Sequence, residues 1–354
     1  MGLFLSVLLC AAPLQVRVLE REQRAAVTVE AAGFRCDGAP LDGTVLELTA
    51  ADRRIRAGTA RACDEVRARG PVLVRAGELE RRYDGELAVV NEKEKVKLVL
   101  SIDVERYLPS VVTAEARGLP AEALAAQAVV SRTFALASRK RHAQSGYDVC
   151  DLAHCQVYRG DGEADEASKA AVQRTANQVL LVGGVRLAPA FFHAACGGGT
   201  ATASDVFGER GAGLPADDAV SGHPRCEGTA GYQWTFEVSR TELARAVGAA
   251  PLGPAFEVLR RDAFGRALQV RSFGTRLSGN EFLAKVGRVF GYSSLKSLVV
   301  TVSELDDLVT FTGRGIGHGV GLCQRGAAAS AATGEAWGSI LKRYFPDCRV
   351  LPAP

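Results

Sequence analysis

Four stretches of this chain hold residue types that can do chemistry. In the first, Tyr107-Leu108-Pro109-Ser110-Val111-Val112-Thr113-Ala114-Glu115, one carboxyl group closes a largely apolar run. Apolar surroundings favour the protonated form of a carboxyl group, and a protonated carboxyl can donate to a leaving oxygen. The second, Asp148 to Gly160, brings Cys150, His154 and Cys155 within six residues, and His142 stands eight residues before Cys150. Thiolate and imidazole are good zinc ligands, and a structural zinc site takes four such donors. Paired CxxC knuckles are absent, so this is not zinc-finger spacing. A Cys150–Cys155 disulfide is the direct competitor in an exported protein, and free thiols are the third reading.

The third stretch, Phe192-His193-Ala194-Ala195-Cys196-Gly197-Gly198-Gly199-Thr200, is glycine-rich. Its backbone can approach a ligand closely, and its amides can donate to that ligand. No Lys-Ser or Lys-Thr follows, which argues against a nucleotide phosphate. The fourth, Gly315 to Ala327, sets His318 in a glycine-packed turn and Gln324 before a run of small residues.

The elements that must position these residues are legible in outline. Residues 14–95 read as short strands divided by Gly33-Phe34, Asp37-Gly38 and Asp42-Gly43, an accessory β region in which Cys36 and Cys63 are either a disulfide or two buried thiols. Val96-Leu98-Leu100 alternates like a further strand. Asp103-Val104-Glu105 opens a helix ending near Val112, and Pro120 suits the first position of a second helix reaching about Ser138. Between Ala123 and Ser138 the only charge is Arg132, so this helix should be buried and its guanidinium should find a partner. After Gly183-Gly184 the text returns to strands, with short helices expected at 240–247, 279–289, 326–333 and 335–344. The expected fold class is α+β: a helical centre with a buried apolar helix, flanked by mostly antiparallel sheet, plus the N-terminal β-rich region. The expected division is 1–13, 14–95 and 96–350.

In this order and at these separations, the four stretches resemble the stage II sporulation protein D (SpoIID) domain, which also occurs in wall-lysis enhancer proteins of bacteria that form no spores. The resemblance runs from about Leu98 to Pro346. It implies lytic transglycosylation of peptidoglycan glycan strands, in sporulation proteins those already stripped of stem peptides, with Glu115 as catalytic acid and base. Gln127 and Arg132 match helix positions that the family shares. With Gln156, Tyr158, Gly197, Gly198, Thr200, His318 and Gln324 they form the expected substrate-binding set. Where family members hold zinc, the ligands here would be Cys150, His154 and Cys155, with His142 as fourth. The resemblance also suggests Cys226 as a disulfide partner for Cys196, while Cys323 and Cys348 either pair or stay buried. The family commonly continues its glutamate with Met or Ile and then Pro, and places a tryptophan before the next helix. Here Ala116-Arg117-Gly118-Leu119 follows, a departure that bears on substrate choice more than on activity.

Composition sets bounds on partners. With 47% hydrophobic and 23% charged residues over 354, the chain has the make-up of a globular protein. A formal charge of +3 is too small to argue for nucleic acid. The run Met1–Pro13 resembles the apolar part of a secretory signal, though no Lys or Arg precedes it and Leu9 before Cys10 does not suit lipoprotein processing. The expectation is an exported protein of the cell envelope that acts on glycan strands. Two other classes stand beside the transglycosylase: a non-catalytic glycan-binding enhancer of a cell-wall amidase, and a zinc hydrolase. The last is weak, because no carboxylate base stands at a useful spacing from the thiol-rich cluster.

Overall fold

The computed structural model describes residues 12–58, 61–208, 219–220 and 223–354. Cys10 and nearly all of the expected signal segment lie outside the described residues. The chain divides into two compact units, one formed by Met1–Arg117 with Ala135–Ala176, the other by Gly118–Phe134 with Asn177–Pro354.

The first unit is built on two sheets. Alternation dictates their inner faces: in Leu14–Val18, Leu14, Val16 and Val18 are buried while Gln15 and Arg17 are not, and Val27 and Val29 behave likewise in Ala26–Glu30. The larger sheet has seven strands. Val96–Ile102 lies inside it, antiparallel to both Leu14–Val18 and Glu86–Asn91. The strand that the sequence assigned to the second region thus pairs with strands of the first. Val149–Cys150 adds at the edge, parallel to Leu14–Val18. The other sheet has six strands, including Ala26–Glu30, Val45–Ala51 and Arg61–Cys63.

Cys36 ends a strand of the seven-stranded sheet and Cys63 ends one of the six-stranded sheet, and the two form a disulfide. The bond closes a sequence separation of 27 residues. Loop-closure entropy for a separation of this size is worth about 3–4 kcal/mol. Replacing both cysteines by serine should therefore lower the denaturant midpoint of the chain, by that order of free energy.

Two helices follow the large sheet: α1 (Val104–Ala116) and α2 (Ala121–Ala137). Pro120 precedes α2, and its carbonyl accepts the N–H of Leu124. Helix α2 is buried as its composition required: Ala123, Ala126, Val129 and Val130 pack with Leu180, Leu322, Ala327 and Leu341 in one core of the second unit. A second core of that unit gathers Trp234, Phe256, Phe282 and Phe311 between two three-stranded antiparallel sheets and the helix Gly279–Phe290. The expected short helices are present as Arg240–Val247, Gly279–Phe290, Gln324–Ala332 and Trp337–Tyr344. The mixed α+β class is therefore observed. No described helix is long and apolar enough to cross a membrane.

Candidate active site

Helix α1 begins where Asp103 accepts the N–H of Glu105 at 2.8 Å, and it runs to Ala116, a turn past the expected end. Burial explains the extension. Tyr107, Leu108, Val111 and Val112 are at 0% exposure, so continuing the helix keeps their backbone groups bonded inside the core. Glu115 therefore sits in the last turn of α1 rather than in a link after it. Unpaired carbonyls at a helix C-terminus carry partial negative charge, which opposes a carboxylate there.

The side chain of Glu115 is half-buried, and its Oε1 accepts the N–H of Val157 at 2.7 Å. Its pKa is raised above the ordinary glutamate value. Burial is the main cause, and it outweighs the Val157 N–H and the Arg159 guanidinium, which both pull downward. The outcome is a carboxyl group held in place and biased toward the protonated acid.

The segment carrying Val157 is fixed from both sides. Tyr107 Oη donates to Gln156 Oε1 at 3.4 Å, the Tyr107 and Tyr158 rings lie 4.9 Å apart, and Tyr158 Oη donates to Asp161 Oδ1 at 3.0 Å. Gln156 and Tyr158 are buried, so the structure places both behind the segment, engaged with α1 and with Asp161. Gly160 has φ +80° and ψ 174°, a region open essentially to glycine, and a Cβ there would stand 2.3 Å from the Arg82 carbonyl oxygen. Gly160→Ala should destabilise the chain by about 1–3 kcal/mol for the backbone conformation alone. A thermal melt reads this, and an unchanged melting temperature would refute it.

Ahead of Val157 lies the Cys/His cluster. One donor atom from each of His142, Cys150, His154 and Cys155 lies within 4.8 Å of all the others. His142 Nε2 is 3.4 Å from Cys155 Sγ, and His154 Nδ1 is 3.6 Å from Cys155 Sγ and 3.9 Å from Cys150 Sγ. Cys150 arrives on the edge strand Val149–Cys150, and Asp151 Oδ2 accepts the Leu19 N–H at 2.6 Å to hold the chain beyond it. Cys150 and Cys155 are not bonded to each other. A hydrogen bond between the two thiols pushes Cys155 down to about 7 and Cys150 up, and burial lowers the pKa of His142. A thiol that ionises readily beside a neutral imidazole suits a metal. Two sulfurs and two nitrogens at this spacing fit a tetrahedral zinc ion.

The second unit holds the other expected residues. Gln127 is fully buried; its Nε2 donates to Ser131 Oγ at 3.0 Å and its Oε1 accepts from Gln324 Nε2 at 3.3 Å, so the structure brings these two together. Arg132, also fully buried, donates to the Gln178 carbonyl at 3.1 Å. Gly197 and Gly198 both have positive φ, and Thr200 is buried. His318 accepts the Val320 N–H on Nδ1 at 3.0 Å, and burial lowers its pKa to about 4, with the Arg266 guanidinium working the same way. Arg266 itself is buried against Asp262 at 2.9 Å and donates to the Cys196 carbonyl at 2.7 Å. Gly319, at φ +79°, leaves the space for it: a Cβ there would lie 2.0 Å from the guanidinium. Cys196 and Cys226 have their sulfurs 3.5 Å apart, and Cys323 is buried while Cys348 is half-buried.

Residues 92–181 match the family model described as Stage II sporulation protein (SpoIID). The chain carries a SpoIID domain. Two relatives extend the likeness. An uncharacterized protein of Brachyspira hyodysenteriae is 28% identical over 273 residues, covering 74% of this chain and 70% of its own. A Bacillus subtilis protein named Amidase enhancer is 26% identical over 270 residues, covering 64% of this chain but 37% of its own. The SpoIID match takes in Glu115, Gln127, Arg132, Gln156, Tyr158 and the four Cys/His donors. Gly197, Gly198, Thr200, His318 and Gln324 lie beyond it.

Asp161 had no expected role, and Tyr107, Val157 and Arg159 were no more than parts of motifs. A backbone N–H carries no residue signature, and Tyr107 reads in sequence as an ordinary core aromatic. The SpoIID domain builds the surroundings of Glu115 largely from such groups.

Proposed function

We propose that this chain acts on the bacterial cell wall as a lytic transglycosylase that cleaves peptidoglycan glycan strands, with Glu115 as both acid and base. One observation carries the reading: a half-buried carboxyl group of raised pKa, oriented by the Val157 N–H, in a domain of the SpoIID family. The protonated carboxyl gives its proton to the glycosidic oxygen as the C1–O bond breaks. The 2-acetamido oxygen of the same sugar stabilises the positive centre at C1, so no second enzyme carboxylate is required. The Glu115 carboxylate then takes the proton of the 6-hydroxyl as that oxygen bonds to C1. The product is a 1,6-anhydro end, no water is consumed, and Glu115 regains its proton.

The Cys/His cluster fits a supporting role. His142, Cys150, His154 and Cys155 would hold a zinc ion with four protein donors, a closed set that supplies rigidity and leaves no position for substrate. Cys155 lies two residues before Val157, so a tie there fixes the amide that orients Glu115. Export to the cell envelope is part of the same reading, and the Cys36–Cys63 disulfide supports it, since such bonds persist in oxidising compartments.

A second reading is favoured by the Bacillus subtilis relative's name: a glycan-binding protein that raises the activity of a cell-wall amidase. Digestion of purified glycan strands, with and without stem peptides, separates the two. New 1,6-anhydro ends found by mass spectrometry support the transglycosylase. Binding of both substrates without any cleavage, together with stimulation of an amidase, would replace it with the enhancer.

A further inference from the structure

The second unit holds a thiol–imidazole cluster that glycan cleavage does not use. Strands Phe192–His193 and Leu322–Cys323 pair in parallel, with His193 in register with Cys323. Register partners in a parallel pair project from the same face, so the pairing sets an imidazole beside a thiol. Cys196 follows three residues after His193 and joins them: one donor atom from each of His193, Cys196 and Cys323 lies within 4.8 Å of the others. Cys226 Sγ is 3.5 Å from Cys196 Sγ. All four side chains are buried, His193 the most exposed at 4%.

Simple core packing leaves two features unexplained. Cys323 Sγ accepts two backbone N–H groups, from Cys196 at 3.4 Å and from Gly326 at 3.3 Å, the second in the first turn of the helix that Cys323 caps. Amide donors and a helix N-terminus favour the thiolate, the form that binds metals. His193 Nδ1 lies 3.1 Å from the Val320 carbonyl, which assigns the ring proton to Nδ1 and leaves a lone pair on Nε2. That Nε2 is buried and has no hydrogen-bond partner. Metal-binding histidines are oriented in this way, one ring nitrogen held by a carbonyl and the other given to the ion.

We propose that His193, Cys196 and Cys323 form a buried three-donor site for a soft or borderline divalent ion of the zinc class, with Cys226 beside Cys196 as the nearest further thiol, separate from the His142/Cys150/His154/Cys155 cluster. A tetrahedral ion at about 2.3 Å from sulfur and about 2.0 Å from nitrogen spaces its donors roughly 3.5–3.8 Å apart. Two sulfurs on such an ion stand about 3.8 Å apart, and Cys196 and Cys226, at 3.5 Å, would have to separate slightly for both to bind it. A Cys196–Cys226 disulfide would use two of the thiols but would leave the buried His193 Nε2 without a hydrogen-bond partner. The ion ties the glycine-rich turn after Cys196 to the segment that carries His318, so its role is to fix these two loops.

The test uses the full chain, purified under reducing, oxygen-free conditions and loaded with cobalt(II) as the probe. Cys150→Ser/Cys155→Ser should retain one ion per chain, with the near-ultraviolet absorption of thiolate-to-cobalt charge transfer. Adding Cys323→Ser should remove both the ion and the band. The native chain should hold two ions, or one if the first cluster binds none; in either case the double variant keeps one, so failure of that reading and of this one are distinct. A double variant with no ion and no band overturns the proposal. If the double variant does not fold, His193→Gln in the otherwise native chain must lower the cobalt count by one, and an unchanged count overturns the proposal.

Discussion

Glu115→Gln is expected to slow glycan cleavage by about 10²–10⁴-fold while leaving glycan binding in place. Glutamine is nearly isosteric, and its Oε1 still accepts the Val157 N–H that holds the native side chain at 2.7 Å. What it lacks is the transferable proton. The pH dependence carries a sign that a structural role would not produce. Because the pKa of Glu115 is raised by burial, the acid stays protonated above the pH at which an exposed glutamate ionises. Native activity should therefore persist above that pH and fall as the pH rises through the raised value. Stability follows the same linkage. The folded state binds the Glu115 proton more tightly than the unfolded state, so this contribution is full below the unfolded pKa and is lost as the pH rises through the folded one. Glu115→Gln removes that loss, and the variant should melt no lower than the native chain at neutral pH. Undiminished cleavage by a folded variant would remove Glu115 from the chemistry.

Chelating the zinc proposed for the His142/Cys150/His154/Cys155 cluster is expected to lower both the melting temperature and the cleavage rate. An ion present at about a thousand times its Kd contributes about 4 kcal/mol, which corresponds to a fall of roughly 10 °C on chelation. Cleavage should fall by roughly 10–100-fold, the scale on which loss of a supporting contact affects a positioned group. The loss arises because Val157 lies two residues beyond Cys155, and its N–H can orient Glu115 only while that segment is held. The same segment is also pinned by Tyr107, Tyr158 and Asp161, so a residual activity should survive. A Cys150–Cys155 disulfide would give the opposite pattern: loss with reductant and indifference to chelator. Metal content measured beside activity distinguishes the two cases.

The sequence by itself determined most of the elements and which side chains are available for chemistry. Alternation marked Val96-Leu98-Leu100 as strand, and the lone charge of Arg132 in an apolar run marked α2 as buried, because periodicity and burial act locally and leave a direct trace in residue type. Glu115 and the four Cys/His residues stood out for a similar reason: carboxyl, thiol and imidazole are side chains that can do chemistry. Tertiary structure decided which residues meet. It drew Val96–Ile102 into a sheet with the N-terminal strands, because backbone hydrogen bonding takes no account of a boundary read from composition. It carried α1 one turn further, so that Glu115 sits in the last turn of the helix, where its side chain accepts a backbone N–H from the Val157 segment. It also set His193 in register with Cys323, two residues far apart in the chain with no local pattern linking them. Contacts made by backbone amides, and by side chains brought together over long loops, depend on the whole fold. No window of sequence contains them.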